Sequence, residues 1–193
     1  MKNLVIGMLA VAAVLIYSPS EAAKCKYQWD TVNYRTGEAV KWTRWVMNRA
    51  FYSEGGVRGY VSGVTEGDRK YLGVQLFDDD RDVSARPTKD DINAAMLIPR
   101  GSIISLLMAD DSTQELVTEE AVVGETRFTT NGTASYTLHS RAILKLPLSS
   151  ESFSALSSQG VKSLRLQWSD RQIELSFGSK PSDKIQKALA CTG

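Results

Sequence analysis

Asp78, Asp80 and Asp82 alternate along FDDDRDVSARPTKDD, the spacing at which a calcium-binding loop offers its first carboxylates. An EF-hand loop counted from Asp78 needs glycine where this chain has Val83 and glutamate where it has Lys89. Arg81 and Arg86 also dilute the negative charge. The stretch therefore reads as a solvated loop, and no metal site or cofactor is expected. From Asp78 to about Met96 it is the longest segment without clear strand character. Long loops in compact domains are often functional, so Asp78, Asp79, Asp80, Asp82, Asp90 and Asp91 stand as candidate binding residues.

The remaining titratable chemistry is sparse. His139 is the one histidine. It shares the polar face of a strand with Thr137 and Arg141 and reads as a solvated residue. A histidine metal site would need further ligands that the chain does not supply. GYVSG, Gly59 to Gly63, misses the nucleophile elbow Gly-x-Ser-x-Gly by one position. There is no phosphate-cradling loop, dinucleotide fingerprint or His-Glu-x-x-His. No catalytic residue is assigned, although a carboxylate pair for glycoside hydrolysis leaves no trace in sequence spacing.

Aromatic residues crowd the N-terminal region: Trp29, Trp42 and Trp45 beside Tyr27 and Tyr34. Trp42 and Trp45 are three apart, which on one strand puts them on opposite faces. At least one is then available to a protein or sugar partner. Both are candidate binding residues.

Two cysteines remain, Cys25 and Cys191, near opposite ends of the 193-residue chain. Ahead of Cys25 lies one cation, Lys2, then an uncharged apolar run from Leu4 to Tyr17, then Pro19 and small residues. That is the layout of a signal peptide over residues 1–22, cleaved after Ala22 or Ala23. It is short for a spanning helix, which needs about 20 apolar residues. Lys24 is a poor neighbour for a lipidated cysteine. The expectation is an exported chain, periplasmic or secreted, with residues 23–193 forming one domain. Thiols pair in that setting, so Cys25–Cys191 is expected as a structural disulfide tying the two ends together. The absence of Cys-x-x-Cys argues against a redox-active pair.

These residues must be positioned by strands. Most segments alternate with period two and are separated by turn residues. Five hairpins are expected, around Arg35-Thr36-Gly37, Glu66-Gly67-Asp68-Arg69, Asp110-Asp111-Ser112-Thr113, Asn131-Gly132 and Ser169-Asp170-Arg171. Two helices are expected, SSESFSALSSQG with Gly160 as its stop and KPSDKIQKALA with Pro181 at its start. TKDDINAAM is a third. Leu164, Leu166 and Trp168 share one strand face, Ile173, Leu175 and Phe177 another. Tyr136, Leu138, Ala142, Leu144 and Leu146 line a long strand. An internal ββαββ repeat is expected from Thr65-Glu66-Gly67…Tyr71 against Thr130-Asn131-Gly132…Tyr136, and from Gly101 with its following strands against Gly160.

The fold expected is mainly β, an antiparallel sandwich-like single domain with two or three short helices, its C-terminal helix held to the N-terminal strand by the disulfide. Net charge is +1, which gives no electrostatic case for nucleic acid or an anionic membrane. No stable membrane insertion is expected after signal cleavage. The oligomeric state is open. The functional expectation is a binding protein with a protein partner in the envelope or extracellular space. The alternatives are an exported hydrolase using carboxylates of the Asp78–Asp91 loop, with calcium assisting, and a glycan-binding module using exposed tryptophans.

Overall fold

Alternation of apolar and polar residues does what it implies: strands pair antiparallel and turn an apolar face inward, while residues 61–64 and 71–76 in the middle of the large sheet are buried on both faces. The computed structural model describes residues 25–47, 57–83, 86–88, 97–131, 135–168 and 171–192. The signal segment and the TKDDINAAM residues Lys89–Met96 lie outside them.

All five expected hairpins form. They are β1 (Tyr27–Val32) with β2 (Ala39–Thr43), β4 (Val57–Glu66) with β5 (Arg69–Val83), and β7 (Ile103–Met108) with β8 (Thr113–Val117). Then come β10 (Glu125–Asn131) with β11 (Ser135–Pro147) and β12 (Val161–Trp168) with β13 (Arg171–Ser176). The turns use the expected chemistry. Gly37 and Gly67 adopt positive φ. Asp110 Oδ1 accepts from the amide and hydroxyl of Ser112, an Asx turn that stabilises Asp111 at φ 68°.

The large sheet has the order β1-β2-β4-β5-β11-β10, with β3 (Val46–Met47) also on β4. The small sheet is β13-β12-β7-β8. A short pair joins β6 (Leu97–Ile98) to β9 (Val122–Val123). Between the sheets lies one core, with Leu72, Val74, Leu76, Leu144 and Leu146 from the large sheet and Ile104, Leu106, Leu164, Leu166, Ile173 and Leu175 from the small one. Leu138, Ala142 and Phe177 are buried as expected, while Tyr136 is half-buried. Gly59 sits where a methyl group would overlap Leu175, so its missing side chain sets how closely β4 and β13 approach.

Two helices form among the described residues. Ser149 caps α1 (Ser150–Gln159), accepting from the Ser152 amide at 3.0 Å, and Gly160 ends it at φ 77°. In α2 (Ser179–Ala190) the buried face carries Pro181, Ile185 and Leu189. Cys191 follows and is bonded to Cys25, with Cα atoms 5.6 Å apart. Tyr27 Oη donates to the Cys191 carbonyl at 3.0 Å beside this bond. The disulfide therefore joins the end of the C-terminal helix to the start of the N-terminal strand.

The topology repeats. Apart from the N-terminal β1–β2 hairpin, each half supplies one hairpin to each sheet, and equivalent strands meet antiparallel at the centre, β5 against β11 and β7 against β12. In the small sheet Leu166 faces Ile104 and Leu106 faces Leu164, while Ser105 faces Arg165. Ile104 and Leu106 are buried, as are Leu164 and Leu166, so burial along the two strands matches when Ile104 is set on Leu164. Ser105 therefore corresponds to Arg165, whereas matching Gly101 to Gly160 aligns it with Leu164. That sequence match is one residue out in β7, enough to turn a side chain to the other face. Glu115 and Leu116 pair with Ser105 and Ile104 as Glu174 and Leu175 pair with Arg165 and Leu164, so from there the match holds.

Candidate functional site

The three tryptophans come together, and not as strand alternation implies. Trp42 and Trp45 do not share a strand. Thr43 Oγ1 accepts from the Gly63 amide at 2.8 Å and donates to the Gly63 carbonyl at 3.2 Å. The side chain thus takes over a ladder position, β2 ends, and the chain turns through Arg44 and Trp45 before β3. The rings of Trp42 and Trp45 meet with centroids 5.2 Å apart. Trp29, directly across from Trp42, adds edge contacts at 5.5 Å to Trp42 and 6.2 Å to Trp45. Trp29 is 43% exposed, while Trp42 and Trp45 are half-buried. Tyr34, in the turn of the same hairpin, is 87% exposed.

Trp42 rests on a small-residue floor. A Cβ at Gly73 would lie 2.7 Å from Trp42 Cζ3 and 2.6 Å from Ser62 Oγ. Ser62 Oγ is buried there with no hydrogen-bond partner. Part of Trp42 is therefore committed to covering the sheet.

Beside Trp42 the outer face turns polar. Glu66, 5% exposed at the end of β4, accepts from Lys145 Nζ at 2.9 Å and Asn33 Nδ2 at 2.6 Å. Those two bonds, Lys145 first, hold its carboxyl below the usual carboxylate range against the opposing effect of burial. Burial pushes the Tyr71 phenol up. Its ring has Lys145 Nζ 5.4 Å and Arg69 Cζ 6.0 Å from the centroid. A general acid needs a raised pKa, so Glu66 is suited to holding geometry rather than giving a proton.

These residues line a cleft of about 360 Å³ that includes Trp42, Glu66, Tyr71 and Glu119. It runs on, through shared Arg69, Tyr71 and Glu119, into a second depression of about 450 Å³ that reaches Lys70 and Phe153. A third, of about 500 Å³, shares Glu119, Pro147 and Ser149 and extends to Arg100 and Ser152.

The acidic stretch is placed differently from expectation. Asp78 is not in a loop: β5 continues through Val83, and Asp78 lies within it between Val57 and Ser140, 4% exposed. Aspartate disfavours strands, but β11 is long and pairs with β5 out to Tyr136 opposite Val83. The backbone of Asp79, Asp80 and Asp82 follows in the same strand, and their side chains lie outside the described set, as do Asp90 and Asp91 entirely. Trp42 and Trp45 are brought together; Asp78 lies apart from them on the β5–β11 half of the sheet. His139 Nε2 lies 3.1 Å from Thr129 Oγ1 across the β10–β11 ladder. Among the described residues no three His, Cys, Asp or Glu side chains converge to hold a metal ion.

Sequence reasoning passed over Trp29, Glu66, Arg69, Tyr71, Lys145 and Glu119. Trp29 was within reach, because a hairpin about Arg35-Thr36-Gly37 sets Trp29 opposite Trp42. Glu66 and Lys145 are 79 residues apart, and no local signal joins them. Compared with known protein families, curated proteins and solved structures, the chain finds no match in any of the three.

Proposed function

We propose that this chain is an exported binding protein, periplasmic or secreted, that docks a protein partner of the envelope or extracellular space on its tryptophan-bearing N-terminal hairpin. A disulfide between the chain ends fits an oxidising compartment. The layout of residues 1–22 fits a signal peptide. Among the described residues no helix is long and apolar enough to cross a membrane.

The observation that carries the docking reading is Trp29: a large apolar ring, 43% exposed, the member of a three-tryptophan cluster that stands on an edge strand. Tryptophan and tyrosine dominate binding hot spots because they bury much area at little entropic cost. The disulfide and the Tyr27–Cys191 hydrogen bond anchor the base of that strand, which limits what binding must order. Asp78 is buried in a strand and so offers the hydrolase alternative no exposed carboxylate; the other carboxylates of that segment lie outside the described side chains.

The test is crosslinking and capture of tagged protein from its native envelope. One stoichiometric protein partner is expected, lost in Trp29→Ser and kept in Ile103→Ser, an exposed apolar position on the other sheet. No enriched protein, or capture indifferent to Trp29→Ser, would overturn the reading. The glycan alternative is favoured by a separate observation, the groove beside Trp42.

A further inference from the structure

We infer that the groove running from Trp42 past Tyr71 to Phe153 is a second binding site, for a neutral oligosaccharide chain. It adjoins the exposed Trp29 surface at Trp42 but does not include Trp29.

Shape comes first. Single-ligand sites are usually about 300–1,000 Å³ and enclosed. Here three depressions of about 360, 450 and 500 Å³ are confluent, with Glu119 lining all three. A run of joined shallow subsites suits a chain of repeating units better than one compact molecule.

Lining chemistry comes second. Trp42 and Tyr71 line the first depression, Tyr71 and Phe153 the second. Two of the three aromatics have a polar group at hand: the Glu66–Lys145 pair beside Tyr71, which is itself only 6% exposed, and Lys70 Nζ 3.9 Å from the Phe153 centroid. Sugar rings have apolar C–H faces and a rim of hydroxyls, and so need both kinds of neighbour. Hydrogen bonds from hydroxyls to charged side chains are among the stronger neutral-ligand contacts.

Charge comes third. Arg69, Lys70 and Lys145 face Glu66, Asp68, Glu119 and Glu120, and the third depression adds Arg100 and Glu115. Lys145 is already bonded to Glu66 and Arg69 to Glu38. Neither sign dominates, so a polyanion or a polycation gains little.

A peptide chain is disfavoured at the middle of the groove. Tyr71 is in the strand ladder on both sides, opposite Val64 and Pro147. The floor there offers side chains, and a bound peptide would find no main-chain ladder to extend.

The experiment uses the full mature protein and a panel of neutral cello-, chito-, malto- and xylo-oligosaccharides of two to six units, with an extended neutral hexapeptide as comparison. Readouts are tryptophan fluorescence and amide shifts of Tyr71, Glu119 and Phe153. At least one series is expected to bind with affinity rising with chain length. Glu119→Ala, an exposed position, is expected to weaken it about tenfold without moving the melting temperature. Phe153→Ser checks the far subsite, with melting as the control for folding. Glu119→Ala should leave partner capture on the Trp29 surface intact, so this site and the protein-docking surface fail separately. No response to any series, a response unchanged by Glu119→Ala, or binding of the hexapeptide alone would overturn the inference.

Discussion

Ser62, Gly73 and Trp42 form a contact whose energetics run against intuition. A buried hydroxyl without a partner is a desolvated group with no return. Ser62→Ala is therefore expected to stabilise the protein by about 1 kcal/mol, read as a higher denaturant midpoint. Gly73→Ala is expected to cost about 2 kcal/mol, because the added methyl meets both Ser62 Oγ and the Trp42 ring. Glu66 adds a pH dependence. Its carboxyl titrates below the ordinary range in the folded chain, so the unfolded chain binds that proton first as pH falls. The resulting stability is present above the ordinary carboxylate range and is lost as pH falls through the lowered value. Glu66→Gln should cost about 1–2 kcal/mol near neutrality, with Lys145 still 42% exposed and partly screened. The deficit relative to the parent should shrink below about pH 4 in melts across pH. None of this was legible in the residues alone. Trp42 and Trp45 do not take opposite faces, because alternation holds only while a strand continues, and Thr43 ends it.

Among the elements, caps and turns carry the sequence signal and can be tested one at a time. Ser149→Ala removes the bond to the Ser152 amide and should cost about 1 kcal/mol, measured by chemical denaturation. Gly160→Ala should cost more, about 2 kcal/mol, since φ is 77° and an added Cβ would lie 2.6 Å from Ser182 Oγ. These sites were legible because a helix cap depends on residues a few positions apart. The five hairpins were legible for the same reason. The far end of β5 was not. Its aspartates look like loop by propensity, and among the described residues it is the length of β11 across from them that keeps the strand going. The repeat was legible as a pattern but misplaced by one residue in β7, because one similar turn can shift an alignment without disturbing the count of strands.

At the level of the molecule, the ends are joined. Closing a loop with a sequence separation of 166 stabilises by about 5 kcal/mol in the chain-entropy model, an upper bound that neglects strain in the folded state. Cys191→Ser is expected to lower the melting temperature substantially and to free the base of β1, weakening any docking on Trp29. Intact mass should show the oxidised chain lighter by two hydrogens. If the variant melts with the parent, the clasp is not what holds the ends.

Local composition was enough to establish a β-rich chain of hairpins, two helices, the caps of the first of them, and one disulfide, because each depends on neighbours in sequence or on the only two cysteines present. Sheet order was beyond it. Which hairpins meet at the centre, and hence that Glu66 finds Lys145 and that Trp42 opens onto Tyr71 and Glu119, follows from how two equivalent halves pair and pack. Alternation says which face of a strand is apolar, and says nothing of which other strand will cover it.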